Sequence, residues 1–177
     1  VTAWRRRRGQ PPPPPLLALE PHGRATGAVS DTADTSETVG LLSAIYPVRV
    51  GSDGVGIPGH IFGAGIDFGL LRYLRADTAE RLSAYREPQL LLNYLGRADV
   101  GAASTFIVER GLLTGVSFLP EPELAVRHEL TVMAAVIAGS DGPVLATQWR
   151  ALPDVLSAED VAVLQSLWHN ALREVAP

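Results

Sequence analysis

Glu20-Pro21-His22-Gly23-Arg24 is the first of four short runs that organise this sequence. The others follow in chain order: Thr38-Val39-Gly40 leading into Tyr46-Pro47-Val48-Arg49, then Gly65-Ile66-Asp67-Phe68-Gly69-Leu70-Leu71-Arg72-Tyr73, then Asn93-Tyr94-Leu95-Gly96-Arg97. Each run is too short to be specific alone, but four in series are hard to obtain by chance. Their glycines permit tight turns and close backbone approach beside polar and aromatic side chains.

Glu20 is the strongest candidate for chemistry. It directly follows Leu16–Leu19, an apolar run that predicts a short buried strand. A carboxyl group at the end of such a strand is partly desolvated, which suits it to proton transfer. The alternative interpretation is a partly exposed glutamate paired with Arg24.

Composition bounds the remaining possibilities. The 177 residues are 46% hydrophobic and 19% charged, with a formal net charge of −4, which gives no reason to expect nucleic-acid binding. The absence of cysteine excludes disulfides, thiolate metal sites and a cysteine nucleophile. The remaining residues show no metal-ligand spacing, so no metal is expected. The apolar runs are short of a membrane span, and we expect a cytoplasmic protein without membrane contact.

Together the four runs resemble the second half of an epimerization domain from nonribosomal peptide synthetases, a branch of the condensation-domain superfamily. The first is similar to the family's Glu-Gly-His-Gly-Arg-Glu, with Pro21 and Ala25 as departures. The second is similar to Thr-Val-Gly-Trp-Phe-Thr-x-x-Tyr-Pro, with Leu41 and Leu42 in place of two aromatic residues. The third and fourth resemble Gly-x-Gly-Tyr-Gly-Leu-Leu-Arg-Tyr and Phe-Asn-Tyr-Leu-Gly-Arg.

The resemblance implies an α/β (α+β sandwich) fold, namely the C-terminal lobe of a chloramphenicol-acetyltransferase-like fold, with a mixed sheet and packed helices. We expect residues 1–15 to be a truncated helix end followed by a proline-rich linker, and residues 16–177 to form the lobe. The arginine run Arg5–Arg8 suits a helix C-terminus, and Pro11–Pro15 favours polyproline II.

The implied reaction inverts an α-carbon in an aminoacyl or peptidyl thioester. One group removes the α-proton from one face, and an opposed group returns a proton to the other. In the family, a glutamate at the position of Glu20 faces the second histidine of His-His-x-x-x-Asp-Gly, a motif that this sequence does not contain.

The resemblance also implies substrate-binding roles for the other motif residues, namely Arg24, Tyr46, Asn93 and Tyr94. The last two are suited to hydrogen bonding with a thioester carbonyl or a pantetheine arm. The alternative to substrate binding is a structural role for both residues, at the end of a strand where the tyrosine is buried by packing.

The expected partners are a peptidyl-carrier protein and the amino-terminal lobe of the same domain. No cofactor is expected to bind directly, since the phosphopantetheine arm of the carrier delivers the substrate. We expect the chain alone to be inactive, as a fragment of an epimerization or condensation domain.

Two alternatives stay open, a non-catalytic gene remnant and the C-terminal half of a peptide-bond-forming condensation domain. The Tyr-Pro run favours the epimerization branch. Residues Val50 to Ala64 are glycine-rich and stand where the family usually has a helix, which favours the remnant.

Local patterns predict the remaining elements. Helices are expected over 67–75 and over 77–85, the second with a capping-box-like start at Asp77 and Glu80. Strands are expected over 88–95 and near 105–108. Residues 39–50, which include Pro47, are expected to form either a strand that enters an edge of the sheet or an extended crossover. Residues 126–136 and 144–150 are expected to form a hairpin, followed by a helix that Ser157 caps and that lays one face on the core. We also expect Trp149 to pack on Trp168, and His128 to lie in the core or at its edge.

Overall fold

A computed structural model describes residue 9 and residues 16–24, 34–49, 65–98 and 125–175. Three predictions fall outside these ranges: the helix end at Arg5–Arg8, the polyproline run, and the strand near 105–108. The glycine-rich segment after Arg49 also lies outside them.

The described residues form a mixed five-stranded sheet. Its strands are β1 (Leu16–Leu19), β2 (Tyr46–Arg49), β3 (Leu90–Ala98), β4 (Leu130–Gly139) and β5 (Gly142–Ala151), in the order β2-β1-β3-β4-β5. The three central strands run parallel to one another, and the two outer strands are antiparallel to their neighbours. This confirms the predicted mixed sheet.

The two outer strands have simple local causes. β2 contains Pro47, whose missing N–H is tolerated in an outer strand of the sheet. β4 and β5 form the predicted hairpin, in which Gly139 pairs with Gly142 across a two-residue turn. Gly142 has a φ of 125°, which is the kind of backbone that favours glycine at such a turn.

One helix covers one face of the sheet. Helix α3 (Ala158–Val175) begins after Ser157, whose hydroxyl accepts from the backbone N–H of Asp160 at 3.1 Å, while the Asp160 carboxylate accepts from the backbone N–H of Ser157 at 3.2 Å. This reciprocal pair confirms the predicted cap. The buried core beneath α3 consists of Leu130, Val132 and Leu156, and Leu164 of the helix itself packs into it. The rings of Trp149 and Trp168 meet edge to face beside it, with centroids 6.0 Å apart, as predicted.

The middle of the chain is helical, as expected, but with different details. A short α-helical turn α1 (Ile66–Gly69) continues as a π-helical turn (Leu70–Leu74), and α2 follows at Ala76–Ser83. The predicted capping box is wrong, because Asp77 lies inside the first turn of α2 and not before it. Its carboxylate pairs instead with the guanidinium of Arg75, which precedes the helix without capping it.

The predicted start of β4 at Val126 is also wrong. Both ladders of β4 begin at Leu130, which pairs with Leu90 of β3 and with Ala151 of β5. Val126 lies before the strand and is exposed. Two residues later, His128 is buried as predicted, and its Nδ1 donates to the carbonyl of Pro88 at 2.7 Å. Within the described ranges, no helix is long and apolar enough to cross a membrane.

Candidate functional site

Glu20 stands at the carboxyl end of β1, and a donor reaches each oxygen of its carboxylate. The hydroxyl of Ser43 donates to Oε1 at 3.0 Å, and the amide of Asn93 donates to Oε2 at 2.9 Å. Glu20 also extends the parallel ladder, since its backbone N–H donates to the carbonyl of Leu92 at 3.3 Å. All three polar side chains are half-buried. One donor on each oxygen fixes the plane of the carboxylate and leaves a second lone pair on each oxygen.

Strand alternation sets the direction of this group. In the β1–β3 ladder, Ala18 pairs with Leu91, so Glu20 and Asn93 lie on the face that those two residues share. Leu90 and Leu92 lie on the other face, where they pack against the core beneath α3. The carboxylate therefore points away from α3.

In this structure Arg24 holds the loop of residues 34–43 through hydrogen bonds to its backbone. Its Nη1 donates to the carbonyls of Thr35 and Thr38 at 2.8 and 2.9 Å, and its Nη2 donates to the carbonyl of Gly40 at 3.2 Å. The guanidinium thus supplies a forked set of donors to a stretch that forms neither helix nor strand. The sequence left open an ion pair between Arg24 and Glu20. In the structure the Arg24 guanidinium binds backbone carbonyls instead.

Gly23 allows the same loop to approach closely. It has a φ of 68°, and a Cβ built on it would lie 1.7 Å from the carbonyl oxygen of Leu42. A side chain at this position would push Leu42 and the adjoining Ser43 away. The first two motifs are therefore in direct contact through Gly23.

Tyr46 connects the second and third motifs. Its side chain is buried, and a Cβ on Gly65, where φ is 88°, would lie 2.0 Å from its Cδ1 atom. Because Tyr46 pairs with Leu19, it lies on the opposite face of the sheet from Glu20. Burial raises the pKa of the Tyr46 phenol above its ordinary value. This tyrosine packs between β2 and the start of α1.

Tyr94 is separated from the carboxylate. It follows Asn93 in β3 and therefore lies on the opposite face, with more than half of its surface exposed. The structural alternative of a buried, packed tyrosine is thus wrong. Of the five predicted site residues, the structure brings Glu20 and Asn93 together and places Arg24 in the adjoining turn.

The three described histidines have other surroundings. The Nδ1 of His22 accepts from the backbone N–H of Arg24 at 3.0 Å, which holds the ring to its own turn. His128 lies before the amino end of β4, and His169 is exposed on α3. Across the described ranges, no group of three or more potential metal ligands comes together.

The sequence is similar to parts of known peptide synthetases. It is 30% identical over 172 residues to one of the linear gramicidin synthase proteins of Brevibacillus parabrevis, a match covering 89% of the chain and 2% of that protein. It is 27% identical over 168 residues to bacitracin synthase 2 of Bacillus licheniformis, covering 85% and 6% respectively. No family model matches the sequence.

A solved structure shows the same fold. The epimerization domain from the third module of tyrocidine synthetase B superposes with a TM-score of 0.51 at 20% identity, covering 77% of this chain and 32% of that one. The chain thus shares the fold of this epimerization domain and is similar in sequence to segments of the linear gramicidin and bacitracin synthases. It spans a few per cent of the length of the synthetases that it matches, 2% of one and 6% of another.

Sequence reasoning missed Ser43. It stands where the epimerization motif has a threonine, so a hydroxyl is common to both. That shared hydroxyl marks Ser43 as a residue of interest, but spacing within either run does not give its contact with Glu20, which lies 23 residues away in the chain.

Proposed function

We propose that this chain supplies the carboxylate side of an α-carbon epimerization on an aminoacyl or peptidyl thioester carried by a peptidyl-carrier protein. The observation that carries the proposal is the Glu20 carboxylate at the end of a parallel strand, with one donor on each oxygen. A carboxylate held in one plane presents its free lone pairs in a defined direction, as proton transfer requires.

The chemistry assigns a simple task to Glu20. The thioester carbonyl delocalises the carbanion that forms when the α-proton leaves. Glu20 accepts or returns that proton on one face of the planar intermediate, and a second group acts on the other face. We assign this second group to an amino-terminal lobe that bears His-His-x-x-x-Asp-Gly.

The alternatives make different predictions for the same site. A condensation domain joins two carrier-bound substrates and needs no proton exchange at the α-carbon. A non-catalytic remnant does neither. Its support is the pair of departures at Pro21 and Ala25 and the short glycine-rich segment before Gly65.

A chimera separates these possibilities. Residues 16–175 would replace the matching segment of the tyrocidine synthetase epimerization domain, and the chimera would receive an aminoacyl-carrier thioester in deuterated water. We expect deuterium at the α-carbon and interconversion of the two configurations. Glu20→Gln should abolish both, and Glu174→Gln, which removes an exposed carboxylate from the end of α3, should abolish neither.

Other results would overturn the proposal. A folded chimera that joins two carrier-bound aminoacyl groups without deuterium exchange supports condensation. A folded chimera that does neither supports the remnant. The chain alone should not interconvert the two configurations, because one carboxylate cannot serve both faces, and interconversion by the chain alone that Glu20→Gln removes would contradict the need for a second lobe.

A further inference from the structure

We propose that Ser43 is a positioning residue for Glu20 and that the loop of residues 34–43 is docked on the first motif in order to deliver its hydroxyl. The chemical meaning of this role rests on the proposed function. Its physical basis is the 3.0 Å hydrogen bond from the Ser43 hydroxyl to Glu20 Oε1.

The docking of the loop depends on contacts and not on regular structure. Residues 41–45 form neither helix nor strand, so repeated backbone hydrogen bonds do not place Ser43. Arg24 holds three carbonyls of the loop, and Gly23 admits the Leu42 carbonyl next to Ser43. Both residues follow Glu20 within four positions, so the turn that carries the carboxylate also fixes the loop that carries its donor.

The hydroxyl has a specific mechanical effect. Asn93 holds only Oε2, and a carboxylate with one anchored oxygen turns about that contact. The bond from Ser43 to Oε1 removes this freedom. Loss of the hydroxyl should therefore change the orientation of Glu20 while the sheet beneath it stays intact.

The test measures the carboxylate itself in the full chain. Glutamate labelled with carbon-13 at the carboxyl carbon gives one resonance per glutamate, and loss of a signal in Glu20→Gln assigns the Glu20 resonance. We expect Ser43→Ala to shift this resonance and the antisymmetric carboxylate stretch, and Ser43→Thr to restore both. Arg24→Gln should shift the same signals, because it releases the loop. Ser166→Ala, which removes a hydroxyl that donates to the Ala162 carbonyl on α3, should leave them in place.

Each result is decisive. An unchanged Glu20 resonance in folded Ser43→Ala overturns the proposal. A shift that Ser43→Thr does not restore assigns the effect to packing and not to the hydroxyl, and also overturns it. The measurement needs no catalysis, so failure of deuterium exchange in the chimera would overturn the epimerization proposal and leave this result standing.

Discussion

Asn93 donates its side-chain amide to the Glu20 carboxylate at 2.9 Å, joining the interior of β3 to the carboxyl end of the parallel strand β1. The resemblance implied that this amide binds a thioester carbonyl or a pantetheine arm. In the structure one N–H of the amide binds Glu20, so Asn93 helps to hold the carboxylate.

The first prediction replaces this amide by a second carboxylate. Asn93→Asp should be less stable than Asn93→Ala at neutral pH, because two ionised carboxylates about 3 to 4 Å apart repel by about 1 to 4 kcal/mol, depending on the effective dielectric constant. The difference should shrink in acid, as protonation removes the repulsion. Urea denaturation of both variants at pH values of about 7 and about 4 measures it.

Gln89→Glu is the matched control. Gln89 donates its amide to the Glu129 carboxylate in an exposed position, where solvent screens the new charge. Its cost should be smaller than that of Asn93→Asp. If the two substitutions lower the free energy of unfolding equally, the Glu20 site tolerates a second carboxylate as well as the exposed Gln89 site does.

The second prediction concerns Gly65. Gly65→Ala should destabilise the chain by about 2 kcal/mol or more, because alanine is strained at a φ of 88° and its Cβ would overlap the Tyr46 ring. Gly69→Ala should be neutral or stabilising by up to about 1 kcal/mol, since Gly69 has helical dihedrals and open space around its Cβ position. A comparable loss of stability in both variants would contradict the packing of Tyr46 on Gly65.

The third prediction tests whether Arg24 holds the loop of residues 34–43. Arg24→Lys should not restore the fork of donors to three carbonyls, because a lysine ammonium on a flexible stem lacks the planar guanidinium geometry. Amide hydrogen exchange over residues 34–43 should accelerate, while exchange in β4 and β5 stays slow. Arg81→Lys, at an exposed position on α2, is the control. Unchanged exchange in the loop would mean that Arg24 does not hold it.

The fourth prediction concerns alkaline pH. Burial raises the pKa of the Tyr46 phenol above 10.0, so the unfolded chain loses this proton at lower pH than the folded chain does. The stability associated with the protonated phenol is therefore complete below about pH 10 and is lost as pH rises above it. Tyr46→Phe should flatten this part of the stability curve. Tyr85→Phe, at an exposed phenol, controls for loss of a hydroxyl, and an identical decline in Tyr46→Phe and wild type would refute the assignment.

The predictions from sequence succeeded where the signal is local. Leu16–Leu19, the hairpin around Gly139 and Gly142, and the helix after Ser157 follow from short-range periodicity, turn chemistry and capping. The start of β4 was placed too early because a strand begins where its neighbour offers a ladder, which is a tertiary fact.

The site shows the same division. The motif pointed to Glu20, but its two hydrogen-bond donors lie 23 and 73 residues away in the chain. Spacing within one run carries no information about such contacts. The same limit explains Tyr94, which adjoins Asn93 in sequence but lies on the other face because strand residues alternate.

The pairing of Leu17 with Leu90 has a consequence for how the chain folds. The β4–β5 hairpin and α3 need only neighbouring residues, whereas the Glu20–Asn93 bond requires closure of a long loop and is entropically expensive to form early. A partly folded chain can therefore have ordinary helix and hairpin signals and still lack the carboxylate environment. The carbon-13 resonance of the Glu20 carboxylate therefore reports whether the tertiary structure is complete. It distinguishes native protein from misfolded protein that has the same secondary structure by circular dichroism.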